Sequence, residues 1–457
     1  MFTYEKSFDL MTEKRVIVLT DDSAHPHVKA VLKALGEKAE DLVKNTVNRY
    51  RTFGKLKAKE VVFIRTEDLD KPKKRLEAAK GVMGLKEDFI IDLNTFPENR
   101  IADWMESLVR GGYRFDKFKT DDKENITNAF YTAEKDVDAA VHEGIVVGEA
   151  ANHVRDLVNT PYNYLNATDL AEYAQALEAI DNVKVTILDK AACEAMNMGA
   201  YLGVNKGSID EPKLIHIEYT GNPDSEEITA LIGKGVMFDT GGYSLKGVQH
   251  MPTMKMDMGG AATVLGAIEA IARLKANANV SVVIAATDNR IGDYAIVPDD
   301  ILTSAKGLTI EIISTDAEGR LTLADALWFA QEKGATRMID VATLTGAVVG
   351  ALGKTYTGAF TNNDAFLNQL IQTSKDAGEN IWQLPVHEDH HEAIKSDVAD
   401  MKNSGGRMAG SSVAAAFLEK FVDDNRPWVH LDIAGTAYVE KEGATGTLVK
   451  TLTKLFI

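Results

Sequence analysis

Residues Ser314 to Leu321 read Ser-Thr-Asp-Ala-Glu-Gly-Arg-Leu, placing Asp316, Glu318 and Arg320 two positions apart. Two carboxylates this close repel one another unless one is protonated or a cation lies nearby. Upstream, Asp239 stands in the glycine-rich block Gly233 to Lys246, which also carries Lys234 and Lys246. Asp257 follows within Met-Lys-Met-Asp-Met-Gly-Gly, residues 254–260. Carboxylates without histidine or cysteine among them suit hard or borderline divalent ions such as Mn2+, Mg2+ or Zn2+. Four of them exceed the needs of one catalytic ion, so a two-metal site is the economical reading, with solvated loop acids as the other. For Asp257 taken alone, a cap on the following helix is the simpler role.

The elements that would position these residues can be read from periodicity. The β-branched run 309–313 predicts a buried parallel strand, and 321–332, apolar at Leu323, Ala326, Leu327 and Ala330, predicts a helix. The acids between them then lie where open α/β sheets bind ligands, at the carboxyl end of a strand. The lysine-containing block follows a strand at 228–233, and Asp257 precedes a helix at 261–274. Further strands are expected at 183–188, 214–219, 280–286, 337–341 and 428–432, with helices at 364–376 and 412–421. Before them, strands at 16–20, 61–65 and 89–93 alternate with helices at 28–45, 71–82 and 99–108. The polar segment 120–128 reads as a boundary. A helical pattern over 134–157, stopped before Asn159-Thr160-Pro161, is placed to bridge two domains. The expected fold is α/β: a small N-terminal α/β domain (1–130), a linker helix (131–160) and a larger C-terminal α/β domain (161–457) that carries the polar clusters. The larger domain is expected to hold a mixed, mostly parallel sheet flanked by helices.

Composition narrows the function. A chain of 457 residues is too long for one ordinary core, and 45% hydrophobic with 26% charged residues is a globular balance. The net charge of −17 argues against nucleic acid as main partner, since phosphate binding needs a basic field. The single Cys193 forbids intrachain disulfides and fits a reducing compartment. The N-terminus has no apolar signal core, and no apolar run is long enough to span a bilayer, so a cytoplasmic location without membrane partners is expected.

Other motifs fail on inspection. Gly233-x-Gly235 lacks the third glycine, since position 238 is Phe238; Gly353-Lys354-Thr355 lacks the first glycine of a phosphate loop, at Val348. His387-Glu388-Asp389-His390-His391 formally fits a His-Glu-x-x-His zinc helix but is polar throughout, as a solvated surface is. Ser411 and Ser412 lie in no Gly-x-Ser-x-Gly elbow.

Thr-Asp-Ala-Glu-Gly-Arg-Leu at 315–321 resembles the signature of the leucyl aminopeptidases, the cytosol aminopeptidase family, with Ser314 where that family usually has Asn. The resemblance extends over Gly-Lys-Gly-x-x-Phe-Asp-Thr-Gly-Gly at 233–242, Ser-Leu-Lys at 244–246 and Asp-Met-Gly-Gly-Ala-Ala at 257–262. It continues over Asp-Val-Ala-Thr-Leu-Thr-Gly-Ala at 340–347, Ser-Asp-Val-Ala-Asp-Met-Lys-Asn at 396–403 and His-Leu-Asp-Ile-Ala-Gly at 430–435. It covers roughly residues 155–457.

What the resemblance implies is specific. Lys234, Asp239, Asp257 and Glu318 would hold a tight metal site, with Asp239 and Glu318 bridging to a second ion completed by Asp316. Two divalent ions per subunit, Mn2+ or Zn2+, would activate a water to release the N-terminal residue, leucine or similar, from short peptides. Lys246 would stabilise the oxyanion, and Arg320 would hold a bicarbonate that relays protons. Met254, Thr343, Leu344, Gly346 and Ala434 resemble the substrate-binding edge. The family implies a homohexamer, a dimer of trimers. Two-metal phosphoester hydrolysis and a DNA-binding role, as in some bacterial members, are the competing readings.

Overall fold

The computed structural model describes residues 2–42, 45–120, 127–406, 408–423 and 426–457. They fall into two compact units, Met1–Asn152 and His153–Ile457. The first is built on a six-stranded sheet in the order Phe2–Tyr4, Ala129–Thr132, Phe89–Asp92, Val16–Thr20, Glu60–Ile64, Val47–Arg51. Every neighbouring pair is parallel except the last. The inner strands are unbroken apolar runs because both faces are covered. Val18, Val62 and Ile91 pack with Trp104 and Met105, while Ile17, Val61 and Phe63 pack with Val28 and Val31.

This unit departs from the sequence expectation in several places, among them the unexpected strand Ala129–Thr132. The helix expected over 28–45 spans Pro26–Leu35, because Gly36 turns left-handed (φ 74°) and returns its N–H to Leu32. Only a single 3-10 turn, Ala39–Asp41, follows, and residues 43–44 lie outside the described residues. The strands Phe2–Tyr4 and Val47–Arg51 were not anticipated: they are partly exposed sheet edges without an apolar run. Of the expected boundary 120–128, residues 121–126 lie outside the described residues. The long helix runs Asp138–Asn159 and carries the chain into the second unit.

That second unit holds an eight-stranded sheet in the order Ile381–Gln383, Thr357–Thr361, Trp428–Asp432, Arg337–Ala342, Ile228–Asp239, Asn279–Asn289, Lys213–Thr220, Val183–Leu188. The central four strands are parallel, and antiparallel pairs flank them. This is the expected mixed, mostly parallel sheet with helices on its faces. Among the described residues, no helix is long and apolar enough to cross a membrane.

Two differences bear on function. The strand expected at 228–233 continues to Asp239, so Lys234 lies inside it and Asp239 ends it. The run 309–313 does not join the main sheet. Thr309–Glu311 belongs to a three-stranded satellite, antiparallel to Ile301–Thr303 and parallel to Met401–Lys402. Ile310 and Ile312 are buried while Glu311 and Ile313 are not, the alternation of a half-covered strand rather than a central one.

Strand alternation sets the direction of the functional side chains. Ala230 and Ile232 share a core with Leu323 and Leu327 of the helix Gly319–Glu332. Gly233 faces the opposite helix, Gly259–Arg273, where an added Cβ would lie 2.6 Å from Ala261 Cα. Lys234 is in phase with Ala230 and Ile232 and so points toward Gly319. Within the Gly319–Glu332 helix, fully buried Asp325 accepts from Tyr201 N on one oxygen and Ala305 N on the other, both at 2.8 Å. Asp325→Asn would turn an amide N–H2 toward one of these backbone donors. The expected cost is about 1–3 kcal/mol, read as a lowered urea midpoint at neutral pH; an unchanged midpoint would contradict this anchoring role.

Candidate active site

The residues singled out from the sequence converge. Lys234, Asp239, Lys246, Asp257, Asp316, Glu318 and Arg320 line one cavity of about 490 Å³, together with Met254, Thr343, Leu344, Gly346 and Ala434. The central parallel strands deliver many of them at their carboxyl ends: Asp239 ends its own strand, Thr343 follows Ala342, and Ala434 lies two residues past Asp432. Asp257 sits in the 3-10 turn Met254–Met258. It does not cap the next helix; its carboxylate turns to Thr343 and Lys234 instead. Glu318 immediately precedes the helix Gly319–Glu332, and Arg320 lies in its first turn.

Two lysines thread the acids. Lys234 Nζ lies 2.7 Å from Asp257 Oδ2 and 3.1 Å from Glu318 Oε1, and donates to the Thr343 carbonyl at 3.1 Å. Lys246 Nζ lies 2.6 Å from Asp239 Oδ2 and 2.5 Å from Asp316 Oδ1. Asp239, Asp316 and Glu318 each offer a carboxylate oxygen, all within 4.8 Å of one another. Glu318 thus belongs to both ends of the array.

The charges strain one another. Burial first, then repulsion from Glu318, pushes Asp239 up to about 6. Burial likewise raises Asp257 well above the ordinary carboxylate range and lifts Asp316. Burial would also raise Glu318, but Lys234 and Lys246 outweigh it and hold that group low. Burial would lower Lys234, yet Asp257, Glu318 and Asp239 together hold it above the usual lysine range. With the protein's own charges alone, Lys234 is therefore an ammonium.

Several features fit divalent cations. The donors are hard carboxylate oxygens. Glu318 Oε2 is buried without a hydrogen-bond partner. Such an oxygen is costly unless a cation meets it. Arg320 is buried, donates Nη1 to the Asn403 carbonyl at 2.8 Å and leaves Nε unpartnered, a donor suited to an anion. Burial lowers this guanidinium to about 10, still charged at neutral pH.

The supporting residues were not identified as such from the sequence. Thr315 Oγ1 donates to the Gly241 carbonyl at 2.6 Å and accepts from Ser244 N at 2.7 Å, while Thr315 N donates to Ser244 Oγ at 3.1 Å. This exchange staples the Lys246 loop to the Asp316 loop. Asn403 accepts from Ile313 N at 2.8 Å and donates to Ser314 O at 2.7 Å. Asp432 accepts from Leu344 N at 3.1 Å, Thr345 Oγ1 at 2.6 Å and Ala434 N at 3.2 Å. Asn403 and Asp432 lie in blocks that carry the family resemblance, but a buried polar residue follows no periodicity. The His387 pattern forms the short helix Glu388–Glu392 away from this cavity, with His387 and Asp389 exposed and His391 half-buried beside Glu419, its Nε2 3.0 Å from that carboxylate.

Glycine is required where the helix meets Lys234. A Cβ on Gly319 would lie 2.7 Å from Lys234 Nζ and closer still to its Cε. Gly319→Ala is expected to displace the lysine and cost about 1–3 kcal/mol, the usual penalty of overpacking, read as a lowered unfolding midpoint. A variant as stable as the parent would show that the lysine has room to move.

A family model described as the cytosol aminopeptidase family, catalytic domain, matches residues 152–453. That span contains the whole cavity and about two thirds of the chain. Aminopeptidases of this family are metal-dependent hydrolases, in keeping with the carboxylate cluster. The chain belongs to the cytosol aminopeptidase family.

Proposed function

We propose that this chain is a dinuclear metallo-aminopeptidase that releases the N-terminal residue, leucine or a similar apolar one, from short peptides. The observation that carries the reading is the meeting of Asp239, Asp316 and Glu318 within 4.8 Å, beside Asp257 and two lysines, in a chain of an aminopeptidase family. Lys234, Asp239, Asp257 and Glu318 would hold one ion; Asp239, Asp316 and Glu318 would hold the other, Mn2+ or Zn2+ in each case. When bound, such ions supply Lewis acidity and a water acidic enough to serve as nucleophile at neutral pH.

The chain's own groups do the rest. To act as a ligand Lys234 must give up a proton, and the Thr343 carbonyl at 3.1 Å then keeps one of its remaining N–H groups satisfied. Lys246 reaches the cavity from its loop as an ammonium and is placed to meet negative charge on the scissile carbonyl oxygen. Arg320, still charged at neutral pH, cannot serve as a base; its free Nε instead suits an anion, bicarbonate in this reading. Met254 and Leu344 supply apolar wall beside Thr343, Gly346 and Ala434, which favours an uncharged first side chain.

Turnover of leucine amide should vanish on chelation and return with Mn2+, Zn2+ or Co2+. No turnover under any of these ions would contradict the reading. Lys246→Ala is expected to lower turnover about 100- to 1,000-fold, the loss typical of one oxyanion donor, with both ions retained; loss of an ion instead would assign Lys246 to the metal centre. As a homohexamer in the cytoplasm, the protein should scatter light with six times its 49.8 kDa chain mass, and a monomeric mass would contradict that assembly.

A further inference from the structure

Asn289 ends the strand Asn279–Asn289, beside the end of the strand Ile228–Asp239, and is 2% exposed. Its Nδ2 donates to Asp239 Oδ1 at 2.8 Å and to the Thr315 carbonyl at 2.9 Å, so both amide hydrogens are committed. Asn289 is itself fixed, since its backbone carbonyl accepts from Thr240 N at 3.1 Å and Thr240 Oγ1 at 2.8 Å. The two strands pair in regular parallel register as far as Thr287 opposite Val236. The register then slips, so that Asn289 stands opposite Asp239 rather than Phe238. Bulges of this kind re-aim side chains next to functional sites.

The consequence for Asp239 is directional. Gly241 N also donates to Oδ1 at 2.8 Å, so that oxygen is occupied by two neutral donors. Oδ2 is left to face Lys246 and the cavity. Thr315, the other acceptor, directly precedes Asp316. One buried amide therefore sets both which oxygen Asp239 offers and how far the Asp316–Glu318 loop lies from it.

We infer that Asn289 is a positioning residue of the dinuclear centre, holding Asp239 with Oδ2 outward and tying the Asp316–Glu318 loop to it. The inference rests on the proposed dinuclear reading. Mn2+ binding to the chelated full-length chain, measured by titration calorimetry, separates this role from simple structural support. Asn289→Ala should weaken Mn2+ binding about 10- to 100-fold, the effect usual for partners that orient metal ligands. Asn289→Ser, too short to span both acceptors, should do the same and serves if the alanine variant does not fold. Asn205→Ala removes another buried amide, one that donates to Thr287 Oγ1 at 3.1 Å and Asp210 O at 3.0 Å, and should leave Mn2+ affinity at the parental value. Parental affinity in a folded Asn289 variant, or an equal loss in Asn205→Ala, overturns the inference. A parent chain that takes up no Mn2+ overturns the dinuclear reading itself, so the two failures are distinct.

Discussion

Burying several carboxylates in one cavity is expensive, several kcal/mol for each ion taken out of water, and mutual repulsion adds to it. In this chain Asp239, Asp257, Asp316 and Glu318 outnumber Lys234, Lys246 and Arg320, the cations that share their cavity. The shifted acidities of Asp239, Asp257 and Asp316 report the resulting strain. Structural ion-pair networks also perturb acidities, but here the same cavity holds an unpartnered Glu318 oxygen and an unpartnered Arg320 nitrogen. Such an array is a poor way to stabilise a fold and a good way to hold added charge.

The architecture around it follows from that constraint. One strand of the parallel sheet delivers both Lys234, within its regular pairing and facing the Gly319–Glu332 helix because strand side chains alternate, and Asp239, at the register slip that ends it. The remaining acids arrive on irregular backbone, and irregular backbone must be pinned. Thr315 and Ser244 join two of these loops, and Asn403 grips the segment that leads to Arg320. Gly241 and Gly242, both at positive φ, let the first loop pass close to Asp316 and Thr315; a Cβ on Gly241 would lie 2.8 Å from Asp316 Oδ1. Neutral donors thus fix the loops, leaving the charged oxygens toward the cavity.

Much of this was legible in the sequence, for identifiable reasons. Long apolar runs marked the central strands, and Trp428–Asp432 falls at the residues expected. Clustered acids at strand ends marked the cavity, and the ordered blocks assigned its residues. Other features left no trace in periodicity. The run 309–313 carries the β-branched pattern of a central strand, yet it pairs in a satellite sheet, since pairing partners are not encoded in the run itself. The strand through Lys234 runs past Gly233 although glycine and lysine weaken the apolar pattern there; Gly233 is needed because the strand packs closely on Ala261. Asn289, Asn403 and Asp432 act through hydrogen bonds to distant segments, which a one-dimensional pattern does not register.

The central claim is that Asp239 and Glu318 are shared by two divalent ions. Anomalous diffraction from crystals of the full-length chain equilibrated with Mn2+ tests it most directly. The account predicts two peaks in the cavity, about 3.5–4 Å apart, one reached by Lys234 and Asp257, the other by Asp316, with Asp239 and Glu318 between them. A single peak, or peaks elsewhere with none between Asp239 and Glu318, would contradict it.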